Sequence, residues 1–411
     1  MSELVDRGVL RLEWARAHMP VLAAVREGLV SSKALKGVKV GMALHTEAKT
    51  GVLALTLKEA GAKVRLASCN PLSTDDSVAA ALNEKFGLET YAKKWETTDQ
   101  YYENLNHVLD LEPDLVVDDG ADLINLLHTK RSELLKGIRG ANEETTTGVV
   151  RLRAMEKHGR LQFPVVDVND AKMKHLFDNR YGTGQSTMDG IMTATNLLVA
   201  GKTFVVAGYG WCGRGIASRA HGLGANVIVT EVDPVKAIEA TMDGYRVMPM
   251  TQAVTVADFV VSATGMKDVV REEHLAAIKD GCILANAGHF DNEVSKADLE
   301  RLGKKRRVRD FVDEYAMKGG KKVYLLAEGR LVNLAAGQGH PAEIMDMSFS
   351  IQALCAEYLA RQAGGLGKRV VPVPEEIDDR VARLKLETMG VAIDALTEDQ
   401  RTYRETWSEG T

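Results

Sequence analysis

The chain has 411 residues and a formal net charge of −5, and hydrophobic residues make up 45% of it. This length exceeds what one compact core usually holds, so we expect two or three domains of ordinary globular composition. The densest basic segment is the run 304–307 (Lys-Lys-Arg-Arg), which we expect to be a solvated turn or helix end. A nucleic-acid partner would need a broader basic face than this run provides.

Signals for secretion, membrane insertion and disulfide bonding are missing from the sequence. The N-terminal segment contains Glu3 and Asp6 without an apolar run, and no stretch of about 18 apolar residues predicts a membrane span. The cysteines are scattered without a C-x-x-C spacing, which argues against disulfides and a zinc site. We therefore expect a cytoplasmic protein without a bound metal. The cysteines are Cys69, Cys212, Cys282 and Cys355.

The first half of the chain alternates predicted strands with predicted helices. Strands are predicted at 38–44, 63–67, 114–117 and 163–166, and a helix over 48–60 separates the first two. Alternation of this kind is typical of a parallel sheet with right-handed crossover connections.

A second alternation of strands and helices begins near Lys202. Strands are predicted at 203–207, 226–230, 258–262 and 282–285, with a helix over 215–223 after the first of them.

The C-terminal part is predicted to be helical again after Asn333, through 348–362, up to a break at Pro372 and Pro374. A polar helical tail follows to Thr411. We therefore predict an α/β protein with two doubly wound parallel-sheet domains and a short C-terminal helical tail.

A glycine-rich turn follows the predicted strand 203–207 and precedes a predicted helix, the context that supports a G-x-G-x-x-G fingerprint. The glycines permit a tight turn and a close approach of the backbone to a pyrophosphate. Glu231 ends the next strand, where a carboxylate accepts hydrogen bonds from ribose hydroxyls and repels a 2′-phosphate. The pattern predicts a Rossmann domain that prefers NAD over NADP. Its turn contains Gly208, Gly210, Trp211, Cys212 and Gly213.

Polar side chains follow several predicted strands, at the edge of a parallel sheet where ligands bind. Each of them alone is explained by helix capping or turn formation. Together they suit proton transfer around a polar substrate, although they do not name the reaction. The set comprises His45, Asp118, Asp119, Asp122, Asp167, Asn169, Asp170, Lys174, Asp178, Asn179, Asn286 and His289.

From about residue 38 to residue 360, the motifs of this sequence resemble the S-adenosylhomocysteine hydrolase family and occur in the same order. Several of these motifs are peculiar to the family. They include 44–45 (Leu-His), 68–74 (Ser-Cys-Asn-Pro-Leu-Ser-Thr), 118–123 (Asp-Asp-Gly-Ala-Asp-Leu), 143–149 (Glu-Glu-Thr-Thr-Thr-Gly-Val), 168–170 (Val-Asn-Asp), 177–182 (Phe-Asp-Asn-Arg-Tyr-Gly), 286–293 (Asn-Ala-Gly-His-Phe-Asp-Asn-Glu) and 339–341 (Gly-His-Pro).

The resemblance implies a protomer of three parts that assembles with its copies into a homotetramer. Residues 1–181 and 342–385 would form the substrate-binding domain, and 185–338 would bind one NAD tightly. Residues 386–411 would form a tail that contacts a neighbouring protomer. This tail departs from the family's usual ending, so faster exchange of NAD is a further prediction.

The resemblance also implies reversible hydrolysis of S-adenosyl-L-homocysteine to adenosine and L-homocysteine. NAD would oxidise the ribose 3′-hydroxyl, which makes the C4′ proton acidic. Homocysteine would leave by elimination, water would add, and the ketone would be reduced again. An ordinary NAD-dependent dehydrogenase and a catalytically inactive NAD-binding regulator are alternatives that the retained motifs argue against.

Roles for single residues follow from the resemblance. Lys174 would act on the 3′-hydroxyl proton, which needs a lowered pKa such as burial near another cation could give. Asp119 and His45 would serve the C4′ and C5′ proton transfers, and Glu144 would bind the 2′- and 3′-hydroxyls. The expected catalytic residues are His45, Asp119, Lys174, Asp178 and His289. The expected substrate-binding residues are Glu47, Lys49, Glu144, His340, Met345 and Phe349. The expected NAD-binding residues are Thr145, Thr146, Thr147, Asn179, Gly208, Gly210, Trp211, Cys212, Gly213, Glu231, Thr264, Asn286, Gly288 and Asn333.

The purine site departs from the better-known branch of the family, which has Thr and Glu where this chain has Glu47 and Lys49. A carboxylate accepts a hydrogen bond from the adenine amine, whereas an ammonium only donates, for example to the O6 of hypoxanthine. Lys49 could also pair with Glu47 and leave Glu47 to meet the base. Adenine is the main prediction, and S-inosyl-L-homocysteine is the alternative substrate.

Overall fold

The computed structural model describes residues 2–407, which form two β-sheets flanked by helices. Every strand predicted from the sequence is present, with ends shifted by at most two residues. The strands in chain order are β1 Lys39–Ala43, β2 Lys63–Ala67, β3 Glu89–Tyr91, β4 Leu115–Asp118, β5 Gly140–Glu143, β6 Val165–Asp167, β7 Thr203–Ala207, β8 Asn226–Thr230, β9 Arg246–Val247, β10 Phe259–Ser262, β11 Cys282–Asn286, β12 Gly303–Arg309, β13 Val312–Met317, β14 Lys322–Leu326 and β15 Val370–Pro372.

Helices connect most of these strands, and none of the described helices is both long and apolar enough to cross a membrane. The helices are α1 Glu3–Ala17, α2 Pro20–Ser32, α3 Ala48–Glu59, α4 Asp76–Glu84, α5 Thr98–Leu109, α6 Asp122–Thr129, α7 Thr146–Lys157, α8 Lys172–Lys174, α9 Thr183–Thr195, α10 Trp211–Gly222, α11 Pro234–Met242, α12 Met250–Ala253, α13 Glu272–Ala277, α14 Lys296–Leu302, α15 Val332–Ala335, α16 Ala342–Gln362, α17 Glu375–Thr388 and α18 Glu398–Glu405, with a π-helix at His175–Gly182 and short 3-10 turns at Ser132–Leu134, Ala327–Gly329 and Ala363–Gly365.

The first sheet is parallel throughout and has the strand order β15-β6-β5-β4-β1-β2-β3. Strand β15 joins it only after the chain has built the second sheet and returned through α16. The ends of β4, β5 and β6 lie in register, because Asp118 pairs with Glu143 and Glu143 pairs with Asp167. The polar residues that follow these strands therefore lie along one edge.

The second sheet is mixed, with the order β12-β13-β14-β11-β10-β7-β8-β9. The strands from β14 to β9 are parallel, as predicted, but β12 and β13 add an antiparallel edge. The basic run 304–307 lies on β12, so the expected turn or helix end was wrong. Its cations pair with carboxylates, such as Arg306 with Glu314 at 2.8 Å. Charged side chains of this kind protect an exposed edge strand.

Both sheets are covered on both faces, which confirms the doubly wound architecture. In the first sheet, α3 and α16 pack on one face and α5 and α6 pack on the other. In the second sheet, α9 and α10 cover one face, and α13 and α14 cover the other.

The C-terminal tail is only partly helical. Helix α17 ends at Thr388, and residues 389–397 run without helix before α18 begins. Residues 408–411 of the predicted tail lie outside the described residues. The helical ending is therefore shorter than the sequence pattern indicated.

Candidate active site

A cavity of about 1530 Å³ lies between the carboxyl edges of the two sheets. Nearly all of the predicted site residues line it. Within residues 2–407, only three of them do not belong to its wall: Lys49, Gly213 and Asn286. The loops that follow β1, β4 and β5 supply one side, and the glycine turn after β7 supplies the other.

Asp119 bridges two histidines at the wall of this cavity. One carboxylate oxygen lies 3.3 Å from His45 Nε2, and the other lies 3.5 Å from His289 Nδ1. Gly120 makes room for this arrangement, because a Cβ there would collide with the His289 ring, and its φ of +105° also favours glycine. The ligand atoms of the three side chains lie within 4.8 Å of one another, close enough to hold a metal ion.

His45 is held from its other side by the loop after β2. Its Nδ1 lies 2.7 Å from Ser73 Oγ and 3.3 Å from Cys69 Sγ. Burial lowers the pKa of His45 to about 4, against the opposing charge of Asp119. The imidazole is therefore neutral at physiological pH and able to accept a proton.

Lys174 lies in a buried cluster of acceptors. Its Nζ donates to Asn179 Oδ1 at 2.9 Å, and it lies 3.5 Å from Glu144 and 3.6 Å from Asp178. Burial lowers the pKa of Lys174, but the two carboxylates outweigh it and raise the pKa above its usual value. The expectation of a lowered pKa for Lys174 was therefore wrong for the protein without a ligand, because carboxylates and not cations surround its ammonium group.

The two carboxylates beside Lys174 differ in their charge states. Burial raises the pKa of Glu144 to about 8, and Lys174 only partly opposes this shift. Burial acts on Asp178 as well, but Lys174 and His340 outweigh it and hold its pKa below the usual range. His340 Nδ1 lies 2.7 Å from Asp178 Oδ1. Asp178 is therefore ionised at physiological pH, whereas Glu144 titrates near that range, and the two groups flank the Lys174 ammonium.

The π-helix His175–Gly182 places Asp178 and Asn179 in this cluster. Its wider turn brings Asn179, five residues after Lys174, within hydrogen-bonding distance of the lysine Nζ. Such π-helical turns are rare and occur frequently at functional sites.

The glycine turn 208–213 has the geometry that a dinucleotide requires. Gly208 has a φ of +95°, and a Cβ on Gly213 would collide with the Gly208 carbonyl oxygen. A Cβ at Gly210 would meet no described atom within 4 Å, so the backbone there is open to a phosphate at the start of α10. The turn therefore fits NAD.

Glu231 directly follows β8 beside this turn and accepts a hydrogen bond from the backbone N–H of Val232 at 2.7 Å. Lys236 also belongs to the cavity wall, and its Nζ lies 3.6 Å from Asp233 Oδ2, which compensates the positive charge of the lysine. At the far side of the cavity, the buried Oδ1 of Asn333 has no hydrogen-bond partner among the described residues, although its Nδ2 donates to Ser186. An unpaired acceptor in the cavity wall fits an amide donor such as that of nicotinamide.

The remaining predicted NAD-binding residues occupy different places. Thr145, Thr146, Thr147, Thr264 and Gly288 line the cavity. The Asn286 amide lies beneath the wall and donates to the backbone oxygens of Gly288, Phe290 and Gly329. It orders the loop that carries His289.

The two residues predicted to face the purine form an ion pair. Lys49 Nζ lies 2.6 Å from Glu47 and donates to the backbone oxygen of Gln338 at 3.0 Å. Glu47 lines the cavity together with Met345 and Phe349. The pairing of Lys49 with Glu47, one of the two arrangements considered from the sequence, is therefore the one present.

Sequence reasoning missed four side chains that contact the site residues. Cys69 and Ser73 belong to a quoted motif, but nothing in the residues indicated that they hold His45. Ser348 and Gln352 donate to Asp178 and Glu144. Their helical spacing from Met345 and Phe349 was a usable signal, because all four lie on one face of α16.

Two family models match the chain. The model described as "S-adenosyl-L-homocysteine hydrolase" matches residues 2–133, and the one described as "S-adenosyl-L-homocysteine hydrolase, NAD binding domain" matches residues 179–339.

Similar proteins cover nearly the whole chain. An adenosylhomocysteinase of Thermoplasma volcanium is 59% identical over 406 residues, which cover 98% of this chain and 99% of that protein. An S-inosyl-L-homocysteine hydrolase of Methanocaldococcus jannaschii is 60% identical over 409 residues, covering 99% and 98% respectively.

Among solved structures, a dipicolinate synthase polypeptide from Bacillus halodurans has a TM-score of 0.50 at 13% identity, covering 80% of this chain and 99% of that polypeptide. This likeness concerns the fold alone. The family models and the full-length relatives show the family as well as the fold. The NAD-binding domain model covers the glycine turn 208–213 in the cavity wall. The chain is an NAD-binding hydrolase and belongs to the S-adenosyl-L-homocysteine hydrolase family.

Proposed function

We propose that the chain catalyses the reversible hydrolysis of S-adenosyl-L-homocysteine to adenosine and L-homocysteine. The observation that carries the choice of purine is the pairing of Glu47 with Lys49. Glu47 belongs to the cavity wall and caps the start of α3, while Lys49 lies outside the wall and is also held by the Gln338 backbone. A carboxylate at this position accepts a hydrogen bond from the exocyclic amine of adenine.

S-inosyl-L-homocysteine is the second candidate substrate. Hypoxanthine presents an N1–H donor to the same carboxylate, and its O6 accepts from an ammonium. The 60% identity to a protein named S-inosyl-L-homocysteine hydrolase also favours it. The Glu47–Lys49 pair offers one acceptor and one donor, so neither purine is excluded by charge.

NAD binds along the glycine turn 208–213, with Glu231 at its adenosine ribose and Asn333 at the carboxamide of nicotinamide. Bound NAD supplies the reversible hydride transfer at the ribose 3′-carbon. The remaining NAD-binding residues are Thr145, Thr146, Thr147, Asn179, Thr264, Asn286 and Gly288.

The substrate ribose lies at the Lys174 cluster. Glu144 accepts hydrogen bonds from the 2′- and 3′-hydroxyls, and Lys174 exchanges a proton with the 3′-hydroxyl, close to Asp178.

Asp119, His45 and His289 move protons at C4′ and C5′. The His45 imidazole is neutral, since burial lowers its pKa to about 4. Asp119 contacts both histidines, so a proton taken up by one group has a short path to the others. His340, Met345 and Phe349 contact the substrate from α16 and the segment before it.

Residues 1–181 and 342–385 form the substrate-binding domain, residues 185–338 form the NAD domain, and residues 386–411 form a tail. The tail contacts a neighbouring protomer in a cytoplasmic homotetramer. Exposed apolar side chains on the tail support such a contact, since Met389 is 61% exposed and Ile393 is 67% exposed.

The choice of purine is tested in the direction of synthesis. NAD-replete protein and homocysteine are offered adenosine or inosine, and the thioether product is quantified by chromatography. Adenosine should be the better substrate, and Glu47→Gln should lower kcat/KM for it about tenfold, since a hydrogen bond to a charged acceptor is lost. Glu59→Gln, at the exposed end of the same helix, is the matched control.

Product mainly from inosine would replace the first candidate with the second. Product from neither nucleoside would refute the hydrolase function of this cavity.

A further inference from the structure

One face of α16 lies against the cavity. Met345, Ser348, Phe349 and Gln352 follow one another at helical spacing, so their side chains share this face. Met345 and Phe349 line the cavity wall. Ser348 and Gln352 lie just behind it, with 0% and 1% of their surface exposed.

Each of the two polar side chains donates to one carboxylate of the Lys174 cluster. Ser348 Oγ donates to Asp178 Oδ2 at 2.7 Å, and the Gln352 amide donates to Glu144 Oε2. The other oxygen of each carboxylate faces a different partner. Glu144 Oε1 lies 3.5 Å from Lys174, and Asp178 Oδ1 lies 2.7 Å from His340.

We propose that Ser348 and Gln352 are positioning residues for the ribose chemistry: they hold the two carboxyl groups that flank Lys174 in a fixed orientation. The inference rests on the proposed roles of Glu144, Asp178 and Lys174. The Gln352 amide occupies the Glu144 oxygen that is turned away from Lys174, so the other oxygen stays directed at the ammonium. Ser348 holds the Asp178 oxygen that also lies 3.6 Å from Lys174, and it leaves the other oxygen to His340. Neither residue touches the reacting atoms.

The charge of Glu144 depends on this contact. Burial raises its pKa to about 8, and the facing charged groups are Lys174, which lowers the pKa, and Asp178 and Asp119, which raise it. The Gln352 amide also lowers it. Without the amide the pKa rises further, so the ionised form that accepts ribose hydroxyls appears only at higher pH.

Another polar side chain of α16 has a purely structural partner and supplies a control. Ser350 Oγ donates to the Asp346 backbone oxygen at 2.6 Å and is fully buried. Ser350→Ala and Ser348→Ala each remove one buried hydroxyl from the same helix. Only Ser348→Ala removes a hydrogen bond to a carboxylate of the site.

The test compares Gln352→Met, Ser348→Ala and Ser350→Ala as NAD-replete full-length proteins. Initial rates of thioether synthesis are measured across pH, together with NAD content and the thermal midpoint. Gln352→Met should lower kcat about ten- to hundredfold at neutral pH, with the rise of activity displaced to higher pH. Ser348→Ala should lower kcat about tenfold. Ser350→Ala should follow the wild type at every pH.

A Gln352→Met profile that overlays the wild type would overturn the proposal. So would an equal loss of activity at every pH together with a lowered thermal midpoint, because that pattern indicates a packing role. If Gln352→Met does not fold, Ser348→Ala with wild-type kcat overturns the proposal by itself. Inactivity of the wild type on both nucleosides refutes the proposed function instead, which keeps the two failures distinct.

Discussion

Lys174 is compensated by two carboxylates, with Nζ 3.5 Å from Glu144 and 3.6 Å from Asp178. Removing the ammonium leaves both carboxylates buried without their common partner. Uncompensated buried charge is strongly unfavourable, and Lys174 lowers the pKa of both carboxyl groups, so both pKa values would rise without it. The residue therefore sets the charge state of its neighbours as well as holding a proton of its own.

Lys174→Ala should lower turnover by several orders of magnitude and leave NAD bound, because the glycine turn that holds the cofactor is intact. Turnover is measured in the synthesis assay, and bound NAD is quantified after denaturation. Lys172→Ala is the control, since Lys172 belongs to the same short helix but lies on the surface beside Glu375. Turnover of Lys174→Ala within tenfold of the wild type would remove this residue from the mechanism.

At this scale the sequence predicted much of the site, because polar residues after parallel strands converge on one edge. His45 and Asp119 were found in this way, whereas Glu144 and the roles of all three residues came from the family resemblance. The rule about strand ends does not predict the contacts of Ser348 and Gln352, because these contacts depend on how α16 packs against the first sheet after the chain has completed the second sheet.

At the scale of elements, long apolar strands were predictable and short or polar ones were not. Strand β5 (Gly-Ala-Asn-Glu) has no β-branched residue, yet it occupies a central position with all four residues buried. The hairpin of β12 and β13 carries many charged residues, so the alternation of apolar and polar residues that predicts a strand is not recognisable in its sequence. Pairing with neighbouring strands overrides weak local propensity in both cases.

The π-helix His175–Gly182 lay outside what periodicity can detect. Its residues fit an ordinary helix equally well, and the wider turn is recognisable only from the contact between Lys174 and Asn179. A local departure from α-helical geometry is therefore what completes the polar cluster around Lys174.

At the scale of the whole molecule, the two sheets are also joined at the surface by an aromatic contact. Trp95, in the loop before α5, stacks on Phe311 between β12 and β13, with ring centroids 5.6 Å apart. Lys94 Nζ lies 5.0 Å above the same Phe311 ring and donates to the backbone oxygen of Ala335. This clasp holds the first sheet's loop against the second sheet.

Trp95→Ala should raise KM for the nucleoside several-fold and leave kcat nearly unchanged, because the clasp holds together the two parts of the chain that enclose the cavity, and its loss weakens binding of the substrate and of the transition state equally. The measurement is a KM and kcat comparison in the synthesis direction. Tyr102→Ala is the control, since Tyr102 is also a partly exposed aromatic residue but contacts Tyr101 and Lys130 within the first half. An unchanged KM in Trp95→Ala would show that the clasp does not contribute to binding of the nucleoside.

The central claim is that this cavity cleaves a nucleoside–homocysteine thioether with NAD returned to its starting state. The most direct measurement incubates the NAD-replete protein with S-adenosyl-L-homocysteine, with adenosine removed enzymatically as it forms. Released thiol is titrated while absorbance at 340 nm is followed. We expect one thiol for each nucleoside released, over many turnovers, with no net accumulation of NADH. NADH accumulating in proportion to substrate consumed, or no thiol at all, would contradict the claim.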